Sequence, residues 1–307
     1  MVLLYIPPVQ NLLRREVTAY ASKATGMQIQ VERIDLRFPL NLLVRGVEVI
    51  QQPDTLLSLE SLNVRVQAWP LLKGKVEVDE VTLSQVAVNS ANLIEGMQIK
   101  GVLGRFFLQS HGVDLSNETA VVNRTELSDT HIQLLMTDTT TTPKDTTASA
   151  PVNWKVNLHQ LKLKNVSFGM KLPADSMKMA AYIGEATIDD AKADLKNQFY
   201  GLKQFLLSGA SASYDTGEAQ PSEGFDASHM AVRNIRIGLD SLLYEGRNMN
   251  AVIREITMEE RSGLSITSLT GRLFSNDSII RIPELKLQTP HSEIDLSAQT
   301  YWELVNI

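Results

Sequence analysis

The stretch Val76-Glu77-Val78-Asp79-Glu80-Val81-Thr82-Leu83 decides the fold class. Its apolar residues occupy the first, third, sixth and eighth places, with polar residues between them. Strict alternation marks a strand with one dry face, but here it slips by one residue at Asp79-Glu80. In a flat strand that slip would turn Val81 and Leu83 to the wet face. A β-bulge absorbs the extra residue, returns the second pair to the dry face and bends the strand. The octet therefore predicts a bent strand with an apolar concave side.

The same octet recurs along the chain. It appears as Ile29-Val31-Ile34-Leu36, Leu42-Val44-Val47-Val49 and Leu57-Leu59-Leu62-Val64. Further on come Val156-Leu158-Leu161-Leu163, Ala181-Ile183-Ala186-Ile188 and Met230-Val232-Ile235-Ile237. The last three are Ala251-Ile253-Ile256-Met258, Leu264-Ile266-Leu269-Gly271 and Ile280-Ile282-Leu285-Leu287. One match is weak evidence, whereas ten bounded by polar, Gly, Pro, Asn or Asp turns are strong. Their spacing is irregular, which excludes a fixed-period solenoid. The pattern predicts a mainly β fold: a long antiparallel meander of bent strands joined by loops of varying length, with short links over 27–89.

Composition agrees. Of the 307 residues 43% are hydrophobic but only 6% aromatic, so Val, Ile, Leu and Thr supply the apolar and β-forming content, which favours sheet. The net charge of −6 has both signs interspersed and gives no nucleic-acid footprint. With no cysteine there is neither a disulfide nor a thiolate metal site.

Before the strands, residues 1–6 are apolar but far short of the roughly 20 needed to span a bilayer. They read either as the trimmed end of a membrane anchor or as a plain hydrophobic start. Pro7-Pro8 then opens a helix, with Val9, Leu12, Leu13, Val17, Tyr20, Ala21 and Ala24 on one stripe and Arg14, Arg15, Glu16 and Lys23 facing away. Gly26 ends it. The organisation expected is a membrane-proximal amphipathic helix over 1–26, capping the first strand, and a β region over 27–307. Flexible loops are expected at 137–152, which is Thr-rich and apolar-poor, and at 215–229. Within the β region, 99–104 and 105–110 read as two weak strands, and 120–122 and 130–136 as two more. The closing residues 301–307 read as a helix-like cover for the last edge.

Catalytic signatures are wanting. His111, His131, His159, His229 and His291 are all more than five residues apart, so no paired metal motif exists, and solvent-facing positions are expected. Gly101-Val-Leu-Gly104 lacks the third glycine of a dinucleotide turn, and neither a phosphate-cradling nor a nucleophile-elbow motif occurs. Asp189-Asp190 and Glu259-Glu260 are sequence neighbours, whose side chains point to opposite faces of a strand. Arg33, Arg37 and Arg45 read as solvated, and Trp69, Trp154 and Trp302 are too isolated for a glycan platform. These observations predict no enzyme, no cofactor and no metal.

A sheet that is apolar on its concave side must cover that side, by closing into a barrel, by packing a second sheet, or by holding a ligand in an open gutter. The residues alone leave all three open. A gutter of about 15 strands at roughly 4.8 Å spacing would run some 70 Å. Small aliphatics would suit flexible acyl chains, at about 0.8 kcal/mol per buried CH₂.

Three segments carry a family resemblance: YIPPVQNLLRREVTAYASKATGMQIQVERIDLRFPLNLLVRGVEV, TLLSLESLNVRVQAWPLLKGKVEVDEVTL and GLSITSLTGRLFSNDSIIRIPELKLQTPHSEIDL. They resemble the TamB family (translocation and assembly module subunit) of the AsmA-like lipid-transfer group, in its Bacteroidetes-type form. The likeness is strongest over 5–83, where helix, Gly26, strands and the Pro-Leu-Leu-x-Gly turn at 70–74 follow in order. It extends more loosely to Leu296. The resemblance implies an N-terminal fragment of a periplasmic β-taco groove, anchored to the inner membrane of a Gram-negative bacterium through a truncated or missing anchor. It implies phospholipid as the partner carried and a TamA-like outer-membrane barrel protein met through regions absent here, with no nucleic acid. The function implied is non-enzymatic carriage of phospholipid acyl chains between the two membranes, in support of outer-membrane biogenesis and protein secretion. The alternative is a scaffold that lends strand edges to client barrels.

The expected groove lining is the set of octet positions. In the first half these are Ile29, Val31, Ile34, Leu36, Val44, Val47, Leu59, Leu62, Val64, Val76, Val78, Val81 and Leu83. In the second half they are Val156, Leu158, Leu161, Leu163, Ile183, Ile188, Val232, Ile235, Ile237, Ile253, Ile256, Leu264, Ile266, Ile280, Ile282, Leu285 and Leu287.

Overall fold

In a computed structural model of the chain, the alternating octets fold into one 15-stranded sheet preceded, among the described residues, by a single α-helix. The structure describes residues 7–67, 77–91, 93–114, 117–136, 153–217 and 220–304. The expectations for residues 1–6, Trp69, the 70–74 turn, Val76, the 137–152 loop and 305–307 lie outside these.

Helix α1 spans Pro7–Thr25. The first strands follow the octets closely: β1 Gln28–Arg37, β2 Asn41–Gln51, β3 Asp54–Val66 and β4 Val78–Asn89. Next come three strands of 18 residues, β5 Met97–Asp114, β6 Thr119–Met136 and β7 Lys155–Leu172, and a fourth of the same length, β8 Met177–Asp194. The short β9 Phe199–Leu202 and β10 Gln204–Asp215 succeed them. The series ends with β11 His229–Glu245, β12 Asn248–Glu260, β13 Ser265–Ser275, β14 Ile279–Gln288 and β15 Glu293–Tyr301. Spatial order follows chain order except that β9 steps aside to bridge β8 and β11.

Two expectations are corrected. The meander is not wholly antiparallel, because β6 and β7 run parallel. A parallel neighbour requires a crossover of a dozen or more residues, and residues 137–154 separate the end of β6 from the start of β7. Secondly, the paired fragments expected at 99–110 and at 120–136 are continuous strands, β5 and β6. Gly104, Ser128 and Asp129 interrupt the apolar pattern without ending the ladder on either side. The closing segment forms a single 3-10 turn, Trp302–Leu304, whose indole N–H donates to the Asn276 carbonyl at 2.7 Å.

Helix α1 lies along the outer edge of β1, as the capping reading expects. Gln10 donates to the Leu36 carbonyl, Arg14 to the carbonyls of Val31 and Glu32, and Ser22 accepts from the Ile29 amide. Unpaired edge carbonyls attract a cationic donor. Hence Arg14, expected to face away, reaches the strand instead, while Tyr20, expected on the packed stripe, is 77% exposed.

Among the described residues no second layer covers the sheet. Apart from α1 on β1, each substantial contact between elements joins strands that are hydrogen-bonded neighbours. The solvent-accessible area is 19807 Å², whereas a compact monomer of this mass would expose about 13,000 Å². Among the described residues the only buried apolar side chains are Leu56, Ala120, Ala186 and Ala210.

Candidate functional site

The pairing register assembles the octets into rows that cross the sheet. One row contains Ile34, Val44, Leu62, Leu83, Phe106, Leu127, Leu163, Ala186, Leu207, Ile237, Ile256, Leu269, Leu287 and Ile294, each directly opposite the next. Every member is apolar. Two residues along every strand except β12, and so on the same face, a second row runs from Leu36 and Leu42 through Val64, Val81, Leu108, Thr125, Leu161, Ile188 and Phe205 to Leu239, Ile253, Gly271, Leu285 and Leu296; on β12 a register shift sets Ile253 three residues from Ile256. Most of these side chains are half-buried. Aliphatic neighbours along the rows shield one another, and nothing among the described elements lies over them.

Beside these rows the ladder skips a pair. Glu32 with Gly46, Gln85 with Gly104, Asp129 with Asn165, and Asn165 with Gly184 are the missed pairings. Gly46, Gln85, Asp129, Asn165, Gly209 and Asn234 have positive φ between 49° and 62°. A left-handed residue uses up one position of the strand without alternating, so the apolar positions two before and one after it can share a face. Beyond this kink line run Val31, Val47, Leu59, Val86, Leu103, Thr130, Val166 and Ile183, and then Ile29, Val49, Leu57, Val88, Gly101, Ile132, Phe168, Ala181, Ala212 and Val232.

Crowding along the line explains its glycines. A Cβ on Gly104 would sit 2.7 Å from Asp129 Cβ and 2.9 Å from its carbonyl oxygen. One on Gly184 would sit 3.0 Å from the carbonyls of Ser208 and Gly209.

A second kink line crosses the middle strands on the other side of the two rows. The register shifts at Asp79 and around His111, and skips Asn123, His159 and Asp190. This places two octets differently from the sequence reading. The slip at Asp79-Glu80 is a real bulge, but the octet of β4 in register with β3 is Val81, Leu83, Val86 and Val88. In β7 it is Leu161, Leu163, Val166 and Phe168 rather than 156–163. Strands with two kinks carry two overlapping octets, and sequence alone selects neither. Val86, Val88, Leu103, Phe106, Leu108, Leu127, Val166 and Phe168 were therefore missed.

Of the other expected lining residues, Val78 pairs with Val66, Val156 with Ala120, Leu158 with Val122, Ile235 with Ala210, Ile266 with Met258, Ile280 with Thr300 and Ile282 with Ala298. Leu264 falls in the turn before β13 and is 48% exposed.

The polar kink residues satisfy one another. Asn123 bonds His111 at 2.6 Å, Asn165 donates to Asp129 at 2.8 Å, and His159 lies 3.1 Å from Asp190. That His159 hydrogen bond holds the Asp190 carboxyl below its usual range. His229 departs from the expectation for histidines: it is buried, and its Nδ1 lies 3.1 Å from Asp226 Oδ2. Asp226 also accepts from the amides of Ser222 and Ser228, so the 215–229 loop is tied around one carboxylate. The Ser222 amide is the main influence holding that carboxyl far below its ordinary value. Asp189 and Asp190 have separate partners, Gln160 and His159. So have Glu259, with Arg233, and Glu260, with the amides of Ser262 and Ala231.

A cavity of about 1110 Å³ opens where β7 and β8 meet at their hairpin. It is bordered by β5 to β8 and β10 to β12, including Lys100, His131, Phe168, Met170, Lys171, Lys178, Met179 and Tyr182. Among the expected lining residues only Val232 borders it. Among the described residues no group of three or more His, Asp or Glu side chains could hold a metal, and no helix is long and apolar enough to cross a membrane.

Compared with protein-family models and with curated protein sequences, the chain matches neither a family nor a curated relative.

Proposed function

We propose that the chain is a segment of a non-enzymatic conduit, in which the apolar rows form a hydrophobic groove and carry phospholipid acyl chains along the sheet. The observation that carries this reading is the unbroken apolar row from Ile34 to Ile294, one residue from each strand of the main path, with no layer packed over it among the described residues. A closed core would bury such a row, and an ordinary solvated face would not contain one. Acyl chains need no directional contacts, so rows of Leu, Ile and Val suffice, at about 0.8 kcal/mol per CH₂ transferred. The TamB-like motifs support the same reading and add the setting: the periplasm, an inner-membrane anchor, a TamA-like partner and outer-membrane biogenesis.

Mass spectrometry of the natively purified chain tests it. Phospholipid should accompany the protein, and lipid-free protein that binds none on reconstitution would defeat the reading.

An assembly scaffold is the second reading, and one observation favours it. Helix α1 satisfies the β1 edge, while β15 is the last strand of the sheet and exposes nearly all its residues. Backbone crosslinks from β15 to client strands, undiminished by charges in the apolar rows, would support the scaffold over the conduit.

A further inference from the structure

The cavity at the β7–β8 hairpin lies on the face of the sheet opposite the apolar rows. Alternation along β7 sets Ser167, Gly169 and Lys171 on one side and Phe168 and Met170 on the other. Ser167, Gly169 and Lys171 all border the cavity, and so does every residue that register sets beside them in 131–135, 178–182 and 211–215. On the side of the rows, Ile132 beside Phe168, Tyr214 beside Met179 and Met230 beside Tyr214 do not. The space therefore opens on the reverse face.

Its floor is a row of small residues. Gly169, Ala180, Ser213 and Ala231 stand directly opposite one another across β7, β8, β10 and β11. At about 4.8 Å between strands the floor runs on the order of 14 Å. Along one side stand His131, Ser167, Tyr182 and Ser211, again opposite one another. Lys171 and Lys178, directly opposite each other, form the outer lip. At about 1110 Å³ the space exceeds the roughly 300–1,000 Å³ of ordinary small-molecule pockets.

The side wall is already oriented for hydrogen bonding. The Gln133 side-chain nitrogen lies 2.9 Å from His131 Nε2, and His131 Nδ1 lies 2.5 Å from Ser167 Oγ. An amide N–H only donates, so Nε2 accepts, and Nδ1 carries the proton and donates to Ser167. The Ser167 hydroxyl hydrogen is then left for a ligand. Tyr182, 40% exposed, adds an aromatic face with a hydroxyl tip, and Ser211 and Ser213 add two more hydroxyls. A ligand matched to this wall donates and accepts along its length and presents a ring face. An acyl chain fails the first condition and a simple anion the second. An extended peptide would gain no ladder, because β7 and β8 are paired on both sides.

We propose that this trough binds a short oligosaccharide, with one sugar ring against Tyr182 and its hydroxyls bonded by Gln133, Ser167 and Ser211. The site is independent of the acyl-carrying reading, since it uses the other face of the sheet.

The test screens the labelled full chain against an array of short neutral and acidic oligosaccharides and titrates the tightest by calorimetry. Tyr182→Ala and Gln133→Ala should each weaken binding about tenfold, the loss of one stacking or hydrogen-bonding contact. Tyr182→Phe, which keeps the ring, should retain most of the affinity, and Phe168→Ala on the other face should leave sugar binding unchanged. Gln133 is exposed, so its replacement should keep the strand content seen by circular dichroism. An array on which no oligosaccharide binds overturns the proposal, as does binding that survives both Tyr182→Ala and Gln133→Ala. Complete displacement of the sugar by an equal concentration of inorganic phosphate would mark a free-anion site and also overturn it. None of these results bears on acyl carriage.

Discussion

Asn165 and Asp129 occupy the same height on the parallel strands β7 and β6, both left-handed, with φ of 53° and 52°. The Asn165 amide donates to the Asp129 carboxylate at 2.8 Å. The ladder skips this pair, and the side chains bridge it. Asparagine and aspartate tolerate this backbone region better than branched residues, so Asn165→Gly should be nearly neutral, whereas Asn165→Val should cost about 1–2 kcal/mol. Gly104→Val, which drives a side chain against the Asp129 backbone, should cost about 1–3 kcal/mol. Urea denaturation of the three variants checks the order.

Arg14 fastens α1 to β1 through two carbonyls that would otherwise lie open at the edge. Arg14→Ala should weaken helix docking by about 1.5–3 kcal/mol, the usual worth of a charged hydrogen bond. Hydrogen exchange at the β1 amides should accelerate while β7 and β8 stay protected.

The Asp226 carboxylate is stabilised in its charged form by the fold, so its folded pKa lies below its unfolded one. Its contribution to loop order is then full above the ordinary carboxylate value near 4 and is lost as pH falls through the lower folded value. Limited proteolysis within the 215–229 loop should therefore be unchanged between pH 7 and about 4 and should rise only on stronger acidification. Asp226→Ala should expose the loop to cleavage already at pH 7.

A charge placed in the apolar rows should spare the fold and harm carriage. Val81 and Ile256 are half-buried, and among the described residues no second layer closes over them. Val81→Asp or Ile256→Asp should keep the strand content while lipid retention drops sharply. In a closed core the same substitutions would unfold the protein.

How much of this was legible in the residues follows from what each pattern encodes. The 1-3-6-8 spacing in 42–49 and 57–64 places Val44 opposite Leu62 and Val47 opposite Leu59 in the structure, because the period of a strand and its slip are both written in side-chain polarity. In β4 and β7 that same spacing fits two frames, since Asp79 and Gln85, or His159 and Asn165, each mark a kink. Only pairing with a neighbour chooses between frames. The parallel step from β6 to β7 depends on where the chain returns after 137–154, which side-chain alternation does not encode. The opposition of Lys171 and Lys178 is likewise a property of register, invisible in two lysines seven residues apart.

The most direct measurement of the central claim is site-specific photocrosslinking in lipid-containing membranes, with the photoreactive residue at Leu163 or Ile256 in the apolar row and at Lys162 or Glu255 on the adjoining strand positions. The account predicts phospholipid adducts at Leu163 and Ile256 and few at Lys162 and Glu255. Adducts absent from the row, or equally frequent at both sets, would contradict it.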